Sequence, residues 1–347
     1  MPSPSRSEGR RKRNAKIVAS SAAAAALGLG LVAVVAKGRG TDERRAAPTP
    51  TRAAWTFASR MPHRRSYTAA AELGGKVYVA TGMVGNTGRP LDLFERFDPS
   101  RNEWTSLRPA PLVFSAAAGA SLDGQLYVVG GNSPEADGRQ VYSYDVRRDR
   151  WSREPPLPAP RTNLAAVALG GKVYALGGLD PDHPTHTVFV YDPRSKGWSR
   201  AAPLPMALHA LAAVVFRGEI WALGGRVRSG TVVRRVWIYN AQRNHWRPGP
   251  PLPVPLETLG AAVTGDRIDV VLESSYFIYD GRTSRWRKGP GLKVPRHALG
   301  VFAIRNVLYA MGGCVVPQLE DSSVVEKIPL VSQKVRPPLR RPRGSPG

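Results

Sequence analysis

The chain has 347 residues, of which 42% are hydrophobic and 8% aromatic, and it carries a formal net charge of +24 at pH 7. This length is enough to bury a sizeable core, and the single cysteine excludes an intramolecular disulfide. Residues 53–330 hold only +11 of the charge and the two ends hold +13, so the charge alone does not indicate a nucleic-acid-binding protein.

The N-terminus combines a basic tail with an uncharged apolar segment. Residues 1–16 contain RRKRNAK, and residues 17–36 read IVASSAAAAALGLGLVAVVA. Twenty helical residues span about 30 Å, the thickness of a hydrocarbon core, and upstream positive charge favours a cytoplasmic N-terminus. The sequence therefore predicts a transmembrane signal anchor in the cell membrane, with the rest of the chain outside the cytoplasm. The alternative is a signal peptide cleaved after Ala36, which would release a secreted protein.

A linker (37–52) leads to residues 53–330, where one short pattern recurs six times. The copies are GGKVYVATG (74–82), DGQLYVVGG (123–131), GGKVYALGG (170–178), RGEIWALGG (217–225), the degenerate GDRIDVVLE (265–273) and RNVLYAMGG (305–313). The central residue of each copy serves as a marker: Tyr78, Tyr127, Tyr174, Trp221, Asp269 and Tyr309. Self-similarity at such a period predicts a solenoid, a propeller or an array.

A tryptophan lies 23 residues before every marker, as at Trp151 and Tyr174, and this interval does not vary. The interval from a marker to the next tryptophan does vary, and it is shortest, at 17 residues, after Asp269. Each unit contains four β-branched or aromatic runs separated by Gly, Pro or Asp turns, which predicts four strands, here called a, b, c and d. The short interval predicts a short or absent b–c loop in the fifth unit.

The double glycines, the aromatic in strand b, the Tyr-Asp that ends strand c and the tryptophan of strand d resemble kelch repeats. The resemblance covers about residues 53–330 and implies an all-β fold, a six-bladed β-propeller of four-stranded blades around a channel. Glycine suits the crowded inner strands because it tolerates close backbone approach and positive φ. Trp55 has no strands a to c before it, and no tryptophan follows the last unit, so residues 53–60 are expected to complete the last blade.

The C-terminal segment, residues 331–347, is rich in proline and arginine, a composition typical of a disordered tail. Arginine outnumbers lysine 40 to 10 across the chain, which indicates a bacterium with a GC-rich genome.

Two positions at the start of strand a are candidates for ligand binding. Thirteen residues before the markers stand Arg65, Phe114, Arg161, Leu208, Leu256 and Arg296, and one residue later come Ser66, Ser115, Thr162, His209, Glu257 and His297. The d–a and b–c loops share one face of a propeller, so these residues are expected to ring the channel mouth. We take Arg65, Arg161, His209, Glu257, Arg296 and His297 as the predicted ligand-binding residues.

Arginine binds carboxylate and phosphate groups well, so the predicted ligand is an acidic sugar, an anionic polymer or an acidic loop of a partner protein. If these residues form an exposed ring, replacing its three arginines by alanine should abolish binding without changing the melting temperature. The alternative is that Pro-Arg is a structural part of the repeat and pairs with backbone at the turn.

These features favour an interaction module over an enzyme. The alternative function is an exported sugar-acting enzyme resembling the bacterial kelch-type sialic acid mutarotases, with His209 and Glu257 as the proton-transfer pair. His183 and His186 lie in one variable loop without a distant third ligand, so we predict no metal site and no cofactor. The lone Cys314 lacks the His and Tyr residues that a copper oxidase of this fold would require.

Overall fold

The computed structural model describes residues 53–84, 88–316, 318 and 320–330. Every regular element in these ranges is a β-strand. None of the described residues forms a helix that is long and apolar enough to cross a membrane. Four predicted segments lie outside the described residues: 1–16, 17–36, 37–52 and 331–347.

The strands follow the predicted units in chain order. The first part of the chain contains β1 (Thr56–Phe57), β2 (Ala69–Leu73), β3 (Lys76–Ala80), β4 (Met83–Val84), β5 (Arg89–Pro90), β6 (Phe94–Asp98) and β7 (Glu103–Ser106). The next two units contain β8 (Ala118–Leu122), β9 (Gln125–Val129), β10 (Val141–Asp145), β11 (Arg150–Arg153), β12 (Ala165–Leu169), β13 (Lys172–Leu176), β14 (Val188–Asp192) and β15 (Gly197–Ala201). The fourth and fifth contain β16 (Ala212–Phe216), β17 (Glu219–Leu223), β18 (Val236–Asn240), β19 (His245–Pro248), β20 (Gly260–Thr264), β21 (Arg267–Leu272), β22 (Ser275–Asp280) and β23 (Arg285–Lys288). The last contains β24 (Arg296–His297), β25 (Gly300–Ile304), β26 (Val307–Met311), β27 (Cys314–Val315), β28 (Glu320–Asp321) and β29 (Val325–Pro329).

Within the described ranges, the main strands form six four-stranded antiparallel sheets, which are the blades. Blades 1 to 5 each take their strands a to d from one unit, and blade 6 has the order β25-β26-β29-β1. The pairing of Thr56 with Lys327 and of Phe57 with Glu326 attaches the N-terminal strand to the last blade. This confirms the predicted closure, which leaves the ring without a missing outer strand.

A ring of backbone hydrogen bonds joins the six inner strands at one end of the channel. The residue two positions before each strand a donates its N–H to the carbonyl of the matching residue in a neighbouring blade at 2.8–3.3 Å. The six residues are Tyr67, Ala116, Asn163, Ala210, Thr258 and Ala298, all with φ between 50° and 55°. Because each bond joins two neighbouring blades, the positive φ is part of how the ring closes.

The glycine pairs make a second ring of interblade bonds. The second residue of each pair, or Glu273 in blade 5, donates its N–H to a carbonyl of the next blade at 2.7–3.0 Å. A Cβ atom on Gly177 would lie 2.4 Å from the carbonyl oxygen of Leu208, and one on Gly224 would lie 2.3 Å from that of Leu256. A side chain at these places would push adjacent blades apart, which explains the paired glycines.

The six tryptophans of the outer strands connect the blades at the rim. Each indole Nε1 donates to a backbone carbonyl just after strand d of the preceding blade, at 2.7–3.1 Å. Their partners are the carbonyl groups of Pro290, Ser59, Arg108, Pro155, Ala202 and Pro250. A repeated tryptophan at a fixed interval therefore reflects a repeated interblade hydrogen bond as well as buried area.

Blade 5 departs from the repeat as its sequence predicted. Only Glu273 and Ser274 separate β21 from β22, so the b–c loop is a two-residue turn. Asp269, which replaces the aromatic marker, is fully buried and accepts a hydrogen bond from the Tyr276 hydroxyl at 2.6 Å. The predicted short b–c loop is confirmed.

Candidate functional site

The d–a and b–c connections lie at the same end of the ring and form one face, here called the channel-mouth face. The structure places the three predicted arginines at this end but inside the blades, with exposures of 0% for Arg65, 2% for Arg161 and 0% for Arg296. A guanidinium group that is shielded in this way is not available to a ligand in the channel.

Each of these arginines is already paired. Arg65 binds the Glu95 carboxylate at 2.6 Å and the Val79 carbonyl at 3.0 Å. Arg296 donates to the Gly312 and Val324 carbonyls and lies 3.2 Å from the buried Glu326 carboxylate. Burial lowers the pKa of Arg296 to about 10, and Glu326 opposes that shift.

Arg161 is the third of the predicted arginines. Its Nη1 lies 2.7 Å from a carboxylate oxygen of Asp180, and its guanidinium carbon lies 4.9 Å from the centre of the Phe189 ring. The expected exposed ring of arginines is therefore corrected: these side chains hold the d–a loop to their own blades. The alternative, in which Pro-Arg is a structural part of the repeat, describes their contacts.

The second predicted position lies beside the segment that follows strand b, as the bridges Ser66–Met83, Ser115–Asn132, Thr162–Leu179 and His209–Arg226 show, and its residue type changes around the ring. Blades 2 and 3 contribute Ser115 and Thr162, whereas blades 4 to 6 contribute His209, Glu257 and His297. On blade 1, the Ser66 hydroxyl donates to Asp321 at 2.5 Å. The ionisable groups at this position are thus concentrated on blades 4, 5 and 6.

Glu257 is bound by a residue that the sequence analysis did not select. Arg226, which directly follows the blade 4 glycine pair, donates from Nε to Glu257 Oε2 at 2.5 Å and from Nη2 to Oε1. Both side chains are largely buried, with exposures of 19% and 14%. A bidentate pair of this kind fixes the carboxylate in place.

The two histidines are held in their neutral form. Burial lowers the pKa of His209, and Arg226 adds to that effect while Glu257 opposes it. Burial also lowers the pKa of His297, against the influence of Glu257 and Asp321. His209 Nδ1 is shielded from solvent and has no hydrogen-bond partner among the described residues. Neutral imidazoles can donate or accept a hydrogen bond from a ligand.

Tyr67 is the other residue that sequence reasoning missed. It lies one position beyond those compared, and its ring meets the His297 ring edge to face at 6.3 Å. Burial raises the pKa of its hydroxyl, and Glu257 and Asp321 contribute in the same direction. The Tyr67 hydroxyl is therefore a neutral hydrogen-bond donor.

The mouth cluster, defined as Tyr67, His209, Arg226, Glu257, His297 and Asp321, is suited to hydrogen bonding. Its one cation is already paired with a carboxylate, and its histidines are neutral. Both carboxylate oxygens of Glu257 accept hydrogen bonds from Arg226, so this pair orients the carboxylate, and each oxygen keeps a second lone pair for a further hydrogen bond.

The b–c loop of blade 5 is much shorter than those of its two neighbours, and the gap that it leaves between them is here called the notch. Residues 224–235 of blade 4 and 312–324 of blade 6 connect strands b and c on either side, whereas blade 5 has only its two-residue turn. Glu257 lies in the connection that enters blade 5, and His297 lies in the connection that leaves it.

The blade 3 loop, in contrast, is occupied by internal contacts. Asp180 pairs with Arg161, and its N–H donates to the carbonyl of His183 at 2.9 Å. Within the described ranges, no three His, Cys, Asp or Glu side chains are grouped so that they could hold a metal ion.

The neutral histidines predict a pH dependence. Their pKa values in the folded protein lie below the unfolded value of about 6.5, so the unfolded chain binds more protons just below that pH. We expect the melting temperature to fall as the pH drops from 7 to 5, and a His209→Gln, His297→Gln double variant to show a flatter profile. Identical slopes for the two proteins over this range would contradict the assignment.

Six four-stranded blades, closed by an N-terminal strand and joined through glycine pairs and outer tryptophans, define a kelch-type β-propeller. The chain belongs to the kelch-repeat family: the family model described as the KLHDC2/KLHL20/DRC7 Kelch-repeats domain matches residues 66–272.

Named relatives match shorter stretches. Kelch-like protein 35 of Mus musculus is 34% identical over 77 residues, which is 22% of this chain and 13% of that protein. An F-box/kelch-repeat protein of Arabidopsis thaliana is 34% identical over 61 residues, or 18% of this chain and 15% of the relative. The matched segments are therefore small parts of both relatives.

A solved structure of YjhT superimposes with a TM-score of 0.68 at 16% identity, and the match covers 78% of this chain and 96% of that one. At this level of identity the likeness concerns the fold alone, which is the same propeller architecture.

Proposed function

We propose that the protein is a binding module that takes up a segment of a partner protein in the notch above blade 5 and contacts it through the mouth cluster. Kelch repeats and kelch-like relatives are consistent with a protein-interaction role. The observation that carries the proposal is the two-residue b–c turn of blade 5, between the connections that carry Glu257 and His297, together with the Nδ1 of His209, which has no partner among the described residues.

The walls of the notch indicate the chemistry of the partner. Arg228, Arg234 and Arg235 of blade 4 are exposed and form no ion pair with any described residue. Beside them, Val254 is one of two exposed large hydrophobic residues in the described chain, at 40% exposure. A partner segment that carries acidic and aliphatic side chains would complement this wall. An acidic polymer or acidic sugar would meet the same arginines but would gain less from Val254.

Binding can be tested with the full-length protein immobilised in detergent and exposed to an envelope extract. We expect a protein captured by the wild type to be lost from the Arg235→Glu, Val254→Asp variant, because the substitutions reverse one charge and place a carboxylate on the apolar contact. The Arg147→Glu, Arg194→Glu variant changes exposed residues of blades 2 and 3 and should retain the partner. Equal capture by all three proteins would overturn the proposed surface.

We also propose that residues 17–36 anchor the protein in the cell membrane with the propeller outside the cytoplasm; cleavage and secretion remain the alternative. The basic residues before this segment and its length support the proposal. An alkaline phosphatase fused after Gly347 should be active, since that enzyme needs the disulfides that form outside the cytoplasm. Activity of a reporter that works only in the cytoplasm would contradict this topology.

A further inference from the structure

The outer edge between blades 5 and 6 differs from the other blade edges. Two residues after the outer-strand tryptophan, the other blades have Ser106, Arg153, Arg200, Pro248 and Lys288, whereas blade 6 has Phe57. Phe57 is 55% exposed, the highest value among the exposed large hydrophobic residues of the described chain. An exposed phenylalanine on a two-residue edge strand indicates a contact surface.

The strand register shows which way Phe57 points. Phe57 lies opposite Glu326, whose carboxylate accepts the N–H groups of Lys293 and Val294 in the loop from blade 5. Trp55, on the same side of the strand, packs edge to face on Tyr276 of blade 5 at 5.6 Å. Phe57 therefore continues, into solvent, the surface that Trp55 buries between the two blades.

The facing side of blade 5 is strongly basic. Arg287 lies opposite Ile278 in the register, and Arg285 lies opposite Asp280, two residues further along the same side. Ile278 packs in the cluster that contains Trp55, so both arginines project on the side of blade 5 that faces Phe57. The pKa of Asp269, raised by burial and lowered by Arg267, also responds to Arg287, which agrees with this placement.

These cations are not neutralised. Neither Arg285 nor Arg287 forms an ion pair with a described residue, whereas the corresponding Arg247 of blade 4 pairs with Glu219 at 2.6 Å. Lys293 places its amino group 5.2 Å from the centre of the Phe57 ring. The edge patch, consisting of Phe57, Arg285, Arg287 and Lys293, thus combines one exposed aromatic ring with three cations.

We infer that the edge patch docks on the surface of a bilayer that carries anionic lipids, with Phe57 at the headgroup level and the three cations on lipid phosphates. Basic residues near an anionic leaflet are attracted to it, and aromatic residues favour the interface. The inference rests on the proposed anchoring in one respect: the chain outside the structure rejoins it at Ala53, four residues before Phe57. A linker of sixteen residues (37–52) extends at most about 55 Å, so this edge is within reach of the bilayer.

The test uses the full-length chain reconstituted into vesicles of phosphatidylcholine, with or without phosphatidylglycerol. An environment-sensitive fluorophore is attached to Thr56→Cys, next to Phe57, or to Ser195→Cys on blade 3 as a control. We expect a blue shift at position 56 only in the anionic vesicles, and its loss at high salt because the attraction is screened. The label at position 195 should show no difference between the two vesicles.

Matched variants distinguish binding by this surface from an effect of the net charge of the protein. Arg285→Glu, Arg287→Glu should lose the shift, whereas Arg147→Glu, Arg194→Glu changes the net charge equally and should keep it. Equal emission at position 56 in both vesicles, or equal loss in both variants, would overturn the inference.

Carbonate extraction of the same vesicles tests anchoring separately. A chain that resists extraction but shows no shift refutes only the edge patch. A chain that is extracted yet shows the shift while it is bound to anionic vesicles refutes only the anchor.

Discussion

Deletion of residues 1–60 is expected to leave a chain that does not fold, whereas deletion of residues 1–50 leaves the melting transition intact. The shorter deletion removes no described residue, but the longer one removes the outer strand of blade 6. Trp55 is 1% exposed and donates its indole N–H to the Pro290 carbonyl at 2.7 Å. The lost strand also leaves an unpaired edge on β29, which favours aggregation.

The size of this effect follows from the burial of the Trp55 indole ring. Replacing a buried tryptophan by alanine costs about 3–5 kcal/mol, against a typical folding free energy of about 5–15 kcal/mol. We therefore expect Trp55→Ala alone to lower stability strongly and the full deletion to abolish cooperative folding. Thr56→Ala is the matched control, because Thr56 is exposed. Circular dichroism during heating measures both, and a chain that starts at residue 61 and melts like the wild type would refute closure by this strand.

The fold was predictable because its determinants repeat. The tryptophan at a constant interval and the glycine pair that follows strand b in four of the six units correspond to two sets of interblade hydrogen bonds, and both are visible in one sequence. The closure followed from counting strands, since Trp55 had no blade of its own. When the same residue pattern recurs six times along a chain, its period identifies the architecture without any knowledge of side-chain contacts.

The site was less predictable, because the repeat pattern does not show in which direction a side chain points. The arginine position was identified, but Glu95 and Glu326, which pair with Arg65 and Arg296, lie on strand c about 30 residues away. Nothing in the local pattern distinguishes a paired, buried arginine from an exposed one. Arg226 and Tyr67 were missed for a related reason: their importance depends on residues of other blades across the channel.

The buried arginines give the last prediction. Replacing Arg296 by alanine would leave the Glu326 carboxylate, itself fully buried, without its cation and would free the carbonyl groups of Gly312 and Val324. Breaking a buried pair on one side costs about 3–5 kcal/mol, so Arg296→Ala and Arg65→Ala should each destabilise the propeller severely. Arg161→Ala should cost less, because its partner Asp180 is 37% exposed and can remain hydrated.

Urea denaturation of the three variants measures these differences, and a double variant identifies their cause. Arg296→Met combined with Glu326→Leu removes both charges, so it should recover the part of the lost stability that comes from the unpaired Glu326 carboxylate. The recovery should be partial, because the carbonyls of Gly312 and Val324 and the N–H groups of Lys293 and Val294 still lose their partners. An exposed binding residue would behave in the opposite way: Arg296→Ala would keep the wild-type unfolding midpoint and lose only the partner. That outcome would show that the arginines belong to the ligand-binding face. Rescue by the double variant would show that they are structural and hold the loops that carry the mouth cluster.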